Sequence, residues 1–426
     1  MRRLLLPLSL LAVLLAVDPA RGHGGLPLSR EILWRQGALY LPTDYWGIFV
    51  SQGEGAGPWH WICDEAINSY RLRQVSLGGD GTLYATDLVG FSISRDGGCS
   101  WEPTASELSR RDLIALVPDP QAPLRVWAVT VEHGQPVLWR SEDGGRSFQE
   151  RFRAQAHAQP GLVVSPDGQR LLLTALRVEA GAAPEPMLYV STDGAMHFVA
   201  RALVPRPPFL RTVPAGVDPV HPRTVYVLSH DDINHVLLRV DADTGQTTRV
   251  LELDRRVYRV VADGERGRLL VPTEGGLYLS EAGGPLRRVE GLSRAQCASV
   301  RPSGLFVCSW NYFPDHAAVA LSTDGGASFR SLFQFAETRG VLACPEGSSV
   351  ARLCPQEWQR GAPLLGIEVE MRPDMGRAED MGPGCGCTVG RQIAEEGRGW
   401  AVGLVLMLWG AARRRRYRSW GTRSTG

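Results

Sequence analysis

The octapeptide Ser322-Thr-Asp-Gly-Gly-Ala-Ser-Phe329 decides the fold, because it recurs along the chain. We call each copy a box; clear copies are Ser94-Arg-Asp-Gly-Gly-Cys-Ser-Trp101 and Ser141-Glu-Asp-Gly-Gly-Arg-Ser-Phe148, and a degraded copy is Ser191-Thr-Asp-Gly-Ala-Met-His-Phe198. Aspartate can accept hydrogen bonds from the N–H groups of a tight turn, glycine allows positive φ, and the aromatic residue can pack back onto a sheet. The box therefore predicts a hairpin turn braced by its own residues. The predicted bracing residues are Ser94, Asp96, Gly98, Trp101, Ser141, Asp143, Gly145, Phe148, Ser191, Asp193, Phe198, Ser322, Asp324, Gly326 and Phe329.

Weaker boxes fill the gaps between the clear ones. They are Ser51-Gln-Gly-Glu-Gly55, Asp241-Ala-Asp-Thr-Gly-Gln-Thr247 and Ser280-Glu-Ala-Gly-Gly284. With them, seven boxes start about 40–50 residues apart. A turn followed by a strand signal precedes every box, and these signals lie at Gly37–Leu41, Gly81–Ala85, Leu124–Ala128, Gly168–Leu172, Arg223–Val227, Gly267–Val271 and Gly304–Cys308.

A repeat of this length with four strands is typical of a propeller blade, because one four-stranded sheet cannot bury both faces alone whereas a closed ring of sheets can. The pattern predicts an all-β fold, a seven-bladed β-propeller of four-stranded antiparallel blades. Each box is expected to join the third strand of a blade to the outer one. Val341–Cys354 has the pattern of one more inner hairpin, which either closes the ring or begins a partial eighth blade.

The box resembles the Asp-box, or BNR repeat, of β-propellers such as sialidases and sortilin-type proteins. The resemblance implies that the boxes serve the scaffold and lie on the face away from the ligand site. Sialidases also carry an early Arg-Ile-Pro signature, three arginines that clasp the substrate carboxylate, and a tyrosine nucleophile backed by glutamate. Arg-Ile-Pro does not occur here. We therefore expect a binding module with no catalytic residues and no cofactor, and a sialidase-like glycoside hydrolase is the alternative.

The start of the chain predicts export. Residues 1–22 combine Arg2 and Arg3 with a long apolar run and small residues near the end, which is the pattern of a secretory signal peptide. The propeller is then expected over 23–370 and a linker rich in Gly, Pro and charge over 371–383.

The end of the chain predicts retention at the cell surface. Residues 384–426 contain Cys385 and Cys387, a short apolar run at Gly399–Ala412 and the block Arg413–Arg416. This arrangement resembles the Cys-containing C-terminal sorting signal of myxobacterial surface proteins. It implies contact with the membrane through the short transmembrane segment before processing, a sorting protease as partner, and a place on the outer membrane afterwards. A plain single-pass anchor is the alternative.

The charge of the exported part argues against a nucleic-acid partner. All 46 basic residues are arginine, and removing 1–22 and 388–426 leaves 35 arginines against 42 acidic residues. A domain of net charge near −7 lacks the electrostatic footprint of a nucleic-acid-binding protein. An envelope protein or a glycan is the expected partner.

Cysteines in an exported chain are expected to form disulfides. Cys297 faces Cys308 across a hairpin, and we expect these two to pair. Cys344 and Cys354 flank a similar turn and are expected to pair, which leaves Cys63 with Cys99. A zinc site is the competing interpretation, although no Cys-x-x-Cys pair supports it.

The loops that follow the second strands share a face with the connections between blades, opposite the boxes, and a ligand is expected there. Aromatic rings beside Asp and Asn suit a sugar, because a ring stacks on the apolar face of a pyranose. The alternative for the aromatic residues is that they plug the ends of their blades. The polar loop of the fifth repeat, with two His and two Asp side chains, could bind a metal ion, and the alternative is a solvated loop without a metal. The candidate residues are Tyr45, Trp46, His230, Asp231, Asp232, His235, Trp310 and Tyr312.

Overall fold

Seven antiparallel sheets follow one another along the chain, and each contains one box. The computed structural model describes residues 26–369, apart from 69–71, 88–89, 180, 219, 222 and 282–283. The sheets are the blades of a seven-bladed β-propeller, so the predicted fold class is confirmed.

Each blade takes four consecutive strands. Blades 1 to 3 contain β1 (Leu33–Arg35), β2 (Ala38–Pro42), β3 (Ile48–Ser51), β4 (Trp59–Ile62), β5 (Gln74–Leu77), β6 (Leu83–Thr86), β7 (Phe91–Ser94), β8 (Glu102–Pro103), β9 (Leu113–Pro118), β10 (Val126–Glu132), β11 (Gln135–Ser141) and β12 (Gln149–Arg153). Blades 4 and 5 contain β13 (His157–Val164), β14 (Leu171–Arg177), β15 (Glu185–Ser191), β16 (Val199–Ala202), β17 (Arg211–Val217), β18 (Thr224–His230), β19 (His235–Asp241) and β20 (Thr247–Leu253). Blades 6 and 7 contain β21 (Val261–Asp263), β22 (Arg268–Thr273), β23 (Gly276–Ser280), β24 (Arg287–Arg288), β25 (Cys297–Arg301), β26 (Gly304–Cys308), β27 (Val319–Ser322) and β28 (Arg330–Phe333).

The second strand of a blade is apolar on both sides because it packs against two neighbouring blades. In β14, Leu171 and Leu173 join the core cluster of Trp127 in blade 3, whereas Leu172 joins that of Val225 in blade 5. Successive side chains of a strand point to opposite faces, so one strand serves both interfaces. This accounts for the continuous apolar runs that mark the second strand in the sequence.

The boxes brace their own turns. In the last box, Asp324 Oδ1 accepts hydrogen bonds from the Ser322 hydroxyl at 2.7 Å and from the Ser328 amide at 2.9 Å, and the Gly326 amide donates to Ser322 Oγ at 2.8 Å. Gly325 and Gly326 both have positive φ, at 78° and 105°, which a side chain would strain. Each box begins at the last residue of the third strand of its blade.

The hydrogen bonds of a box favour the ionised aspartate. Burial opposes ionisation of Asp143, but hydrogen bonds from Ser147, Ser141 and the Arg146 amide lower its pKa to about 2. The carboxylate is therefore a permanent acceptor for the turn at neutral pH.

The ring is closed by a strand that follows the seventh blade. A short 3-10 helix (Phe335–Glu337) leads into β29 (Thr338–Val341), which pairs in parallel with β4, the outer strand of blade 1. At the same junction, Trp59 of blade 1 stacks on Phe333 of blade 7, with ring centroids 4.0 Å apart. Blade 1 therefore has five strands, and the chain begins no eighth blade within its described residues.

The segment after β29 corrects one prediction. Val341–Cys354 is not a hairpin, because Ser348 caps the helix α2 (Ser349–Gly361), accepting a hydrogen bond from the Ala351 amide at 3.2 Å. A second 3-10 helix (Ala362–Leu365) follows. The helix contacts the short helix α1 (Asp64–Ile67), which joins blades 1 and 2. We call residues 338–361, which run from β29 through α2, the C-terminal strap.

Of the three disulfides among the described residues, two differ from the predicted pairs. Cys297–Cys308 is confirmed, since these residues are cross-strand partners of β25 and β26. Cys63 pairs with Cys354, and Cys99 pairs with Cys344, each with Cα atoms 5.4 Å apart. The predicted pairs Cys344–Cys354 and Cys63–Cys99 are wrong because Cys344 and Cys354 lie on the strap, which packs against blades 1 and 2 and brings each to a different blade.

The ends of the chain lie outside the described residues. They include the predicted signal peptide, the linker, Cys385, Cys387 and the short apolar run of the sorting signal. Within residues 26–369, as far as they are described, no helix is both long and apolar enough to cross a membrane.

Candidate functional site

A central cavity of about 770 Å³ opens on the face that carries no boxes. Its wall is built by inner strands, including Leu162–Val164 of blade 4 and Val213–Val217 of blade 5. Its mouth is formed by the loops after the second strands and by the connections between blades. Antiparallel strands alternate in direction, so these loops meet at one end of the ring and the boxes at the other. The volume lies in the usual range of ligand sites.

Arginine dominates the charged lining of this cavity. Among the described residues, five arginines and three carboxylates line it, although residues 23–387 as a whole contain more acidic than basic residues. The lining charges are Arg30, Arg73, Arg256, Arg259, Arg294, Glu31, Asp44 and Glu274. A recessed site with more positive than negative groups attracts anions.

Every carboxylate of the cavity is paired with an arginine. Arg259 contacts Glu31 at 2.6 Å and Arg294 contacts Glu274 at 2.8 Å. Arg30 forms an ion pair with Asp44. Each contact engages one oxygen of the carboxylate in a charge-assisted pair with arginine.

Arg256 differs from the other arginines at the mouth. Its side chain is exposed, and no carboxylate of the described chain lies within 4 Å of its guanidinium group. The guanidinium carbon lies 5.6 Å from the ring centroid of Tyr258, which also lines the cavity. The planar guanidinium group of Arg256 therefore has N–H donors that no carboxylate of the described chain accepts, and it lies beside an aromatic ring.

Two buried polar atoms of the cavity lining lack hydrogen-bond partners. They are Nδ1 of His235, a residue that is 5% exposed, and Oε1 of Gln296, which is 8% exposed. Leaving such a group unpaired costs about 1–3 kcal/mol. Both residues line the cavity and so contribute neutral polar groups to its wall.

His235 is neutral at physiological pH. Burial, with smaller contributions from the charges of His230 and Arg256, lowers the pKa of His235 to about 4. The rings of His230 and His235 are stacked, with centroids 4.9 Å apart and planes within 5°. His235 can therefore donate one hydrogen bond and accept another without adding charge.

The structure separates the predicted ligand-face residues into two groups. His230 and His235 line the cavity. Trp46 does not, because it is 1% exposed and packs against Trp61, whose indole N–H donates to the Trp46 carbonyl at 2.5 Å. Its burial agrees with the alternative that the aromatic residue plugs the end of its blade. Tyr45 is 37% exposed on the same loop.

The remaining predicted residues lie beside the cavity rather than in it. Asp231 caps its own loop, accepting from the amides of Ile233 and Asn234 at 2.7 and 2.6 Å, and Asp232 is exposed near Arg211. Trp310 and Tyr312 form an edge-to-face pair at 5.4 Å. The guanidinium of Arg294 lies 4.3 Å from the Trp310 ring centroid, which links this pair to the cavity mouth.

Sequence reasoning missed most of the charged lining. Arg30, Arg73, Arg256 and Arg294 each lie a few residues before an inner strand, and the cluster Arg255-Arg256-Val257-Tyr258-Arg259 is visible in the sequence. The signal that could have found them is this recurring position. An exposed aromatic was also missed, since Phe313 is 80% exposed on the loop that carries Trp310 and Tyr312.

The described residues contain no cluster of three or more His, Cys, Asp or Glu side chains placed to hold a metal ion. The loop with His230, Asp231, Asp232 and His235, considered above as a metal site, is not such a cluster because the two aspartates point to the loop backbone and to Arg211.

Comparison with known proteins extends the description of the fold. No family model and no curated protein matches the chain. Among solved structures, an ancestral GH74 enzyme matches with a TM-score of 0.54 at 14% identity, covering 72% of this chain and 46% of that enzyme. The GH74 enzyme of Niastella koreensis matches with a TM-score of 0.51 at 16% identity, covering 74% and 55%. A puromycin hydrolase matches with a TM-score of 0.50 at 14% identity, covering 73% and 54%.

This chain therefore spans about half the length of the solved structures that it matches. At these identities the likeness shows the β-propeller fold alone.

Proposed function

We propose that this protein is an exported binding module held at the cell envelope, and that its ligand enters the central cavity of the box-free face. The observation that carries the proposal is a recessed, arginine-rich cavity in which every carboxylate is paired with an arginine. Such a site offers shape, charge and hydrogen-bond donors to a ligand, while its three carboxylates are paired with arginines.

The proposed location rests on the two ends of the chain, which resemble a signal peptide and a C-terminal sorting signal. A binding protein gains from attachment to the surface, because its ligand then stays at the envelope. The expected partner is an envelope glycan or an envelope protein.

A glycoside hydrolase is the second candidate. Glycosidases generally use two carboxyl groups, one of which must deliver a proton. Sialidase-like enzymes instead use a tyrosine beside a glutamate, and Tyr258 lies near the charge of Glu274 in this cavity. However, burial raises the pKa of Tyr258, whereas a nucleophilic tyrosine needs a lowered pKa, and Glu274 is held by Arg294. GH74 enzymes and a puromycin hydrolase share the fold, so the fold does not distinguish the two functions.

Filling the cavity should abolish binding. Ala262 lies on the inner strand β21 and lines the cavity, so Ala262→Trp places an indole in the ligand's path without changing any charge. We expect retention on a panel of immobilised envelope polysaccharides and envelope proteins to fall at least about tenfold, the equivalent of 1.4 kcal/mol. The matched control is Ala200→Trp on the outer strand β16, where the residue is exposed, and it should bind like the wild type.

The same proteins should be assayed for turnover of a fluorogenic sialoside and of the retained polysaccharides. Binding that persists in Ala262→Trp would place the ligand elsewhere. Turnover by the wild type that is lost in Tyr258→Phe would replace the binding proposal with the hydrolase one.

A further inference from the structure

We infer that the blade 5–7 side of the cavity is a subsite for a uronic-acid sugar, with Arg256 bound to the sugar carboxylate. This inference deepens the proposed function and rests on it. Nothing in the sequence pattern points to this subsite; it follows from the placement of Arg256, Tyr258, His235 and Gln296 around one cavity.

Arg256 is the arginine of the cavity mouth without a carboxylate partner among the described residues. Of the arginines at the mouth, Arg30, Arg259 and Arg294 are neutralised by carboxylates within the cavity, and Arg73 lies 3.2 Å from Asp112. Arg256 is left as the uncommitted cation of the described lining. One guanidinium fork matches one carboxylate through two parallel hydrogen bonds. A phosphate or sulfate group usually draws on several cationic or amide donors, so a single carboxylate is the better match.

The same side of the cavity also presents two neutral polar side chains. His235 and Gln296 are more than nine-tenths buried in the cavity wall, and each has a polar atom without a partner. Neutral imidazole and amide groups both donate and accept hydrogen bonds, as sugar hydroxyls do. A ligand with several hydroxyls beside one carboxylate therefore matches these neutral polar residues and Arg256 together.

Two aromatic rings, Tyr258 and Trp310, lie beside arginines at this side of the cavity mouth. The Tyr258 ring lies beside the Arg256 guanidinium, and Trp310 lies against Arg294 at the same side of the mouth. A pyranose ring presents C–H groups on one face that pack against an aromatic ring. A carboxylate, hydroxyls and an apolar ring face occur together in a uronic acid, whereas the side chains of an acidic peptide supply the carboxylate without the hydroxyls.

The test measures binding of defined probes by calorimetry on the exported protein. The acidic probes are tetragalacturonate and a glucuronate-containing tetrasaccharide, and the neutral probes are their methyl esters, which keep the sugar stereochemistry and lose the charge. An Asp- and Glu-rich peptide and inorganic phosphate test the other anion classes. We expect at least one acidic sugar to bind at least about tenfold more tightly than its ester.

Arg256→Gln should remove this preference. It should weaken the acidic probe at least about tenfold and leave the ester unchanged, because the ester has no carboxylate for the guanidinium to hold. The matched control is Arg255→Gln, since Arg255 is the exposed neighbour and does not line the cavity. Gln296→Leu should weaken both the acid and the ester, and thermal melting checks that each variant is folded.

The outcomes separate this inference from the proposed function. Equal binding of acid and ester, or an unaffected Arg256→Gln variant, would overturn the uronate subsite while the Ala262→Trp result still decides whether the cavity binds a ligand. Arg256-dependent binding of the acidic peptide or of phosphate, with no acidic sugar bound, would also overturn it.

Discussion

Replacing Cys63 and Cys354 together by alanine is expected to lower the free energy of unfolding by about 4 kcal/mol. With Cys99–Cys344 intact, the second bridge closes a circuit in which 36 residues separate Cys63 from Cys99 and 10 separate Cys344 from Cys354. The chain-entropy account assigns a loop of that size about 4 kcal/mol. Removing both strap disulfides should cost roughly twice as much, which is comparable with the whole stability of many domains.

The comparison variant removes Cys297 and Cys308, which are equally buried but only 11 residues apart in sequence. Its expected cost is about 3 kcal/mol. Urea unfolding without reductant measures the wild type and each of these variants, and limited trypsin digestion reports release of the strap at Arg339 or Arg352. A Cys63/Cys354 variant with the wild-type midpoint and no new cleavage would show that the strap does not hold the ring closed.

Asp64→Asn should make the protein more stable at alkaline pH by several kcal/mol. Asp64 is 9% exposed, and its Oδ1 is buried without a hydrogen-bond partner. Burial, with a smaller contribution from the charge of Glu65, raises the pKa of Asp64 to about 8. The folded protein therefore keeps a proton that the unfolded chain releases above about pH 4, so stability falls as the pH rises from about 4 to about 8.

Asparagine resembles the protonated acid and carries no charge at any pH. The variant should match the wild type near pH 4 and exceed it by on the order of 4 kcal/mol at pH 8. Glu65→Gln is the control, because Glu65 is exposed on the same helix, and it should change stability by less than about 1 kcal/mol. The measurement is the urea midpoint of each protein from pH 4 to pH 8. A difference between wild type and Asp64→Asn that stays constant over this range would contradict the raised pKa of Asp64.

The blades could be predicted from sequence because each one repeats a local device. The turn of Ser322–Phe329 is held by hydrogen bonds within the box, so the residues that specify it are adjacent in sequence. The second strands are buried on both faces, as in Leu171–Leu173, and therefore give continuous apolar runs. These two local signals recur once in each repeat, so counting the repeats predicts the number of blades.

The strap could not be predicted in the same way. Its cysteines pair with Cys63 and Cys99, which lie 291 and 245 residues away, and no local register relates the two segments. The turn within Val341–Cys354 predicts a hairpin. The Ser348 cap and packing against blades 1 and 2 instead favour the helix Ser349–Gly361.

The candidate site was predicted as a face and not as a set of contacts. His230 and His235, which were predicted from their place at the ends of a polar loop, line the cavity. Trp46 was misassigned to the ligand face, since its position in the loop does not show that its side chain turns inward onto Trp61. Arg256 and Gln296 precede the inner strands of blades 6 and 7, and no local sequence pattern shows that both line one cavity.

The central claim is that a ligand occupies the cavity of the box-free face. A diffraction structure of the protein with the best-retained member of the binding panel tests this most directly. We expect ligand density among Arg256, Tyr258 and Ala262, with hydrogen bonds from the ligand to His235 or Gln296. Ligand density on the box face or on the outer strands, with this cavity holding only solvent, would contradict it.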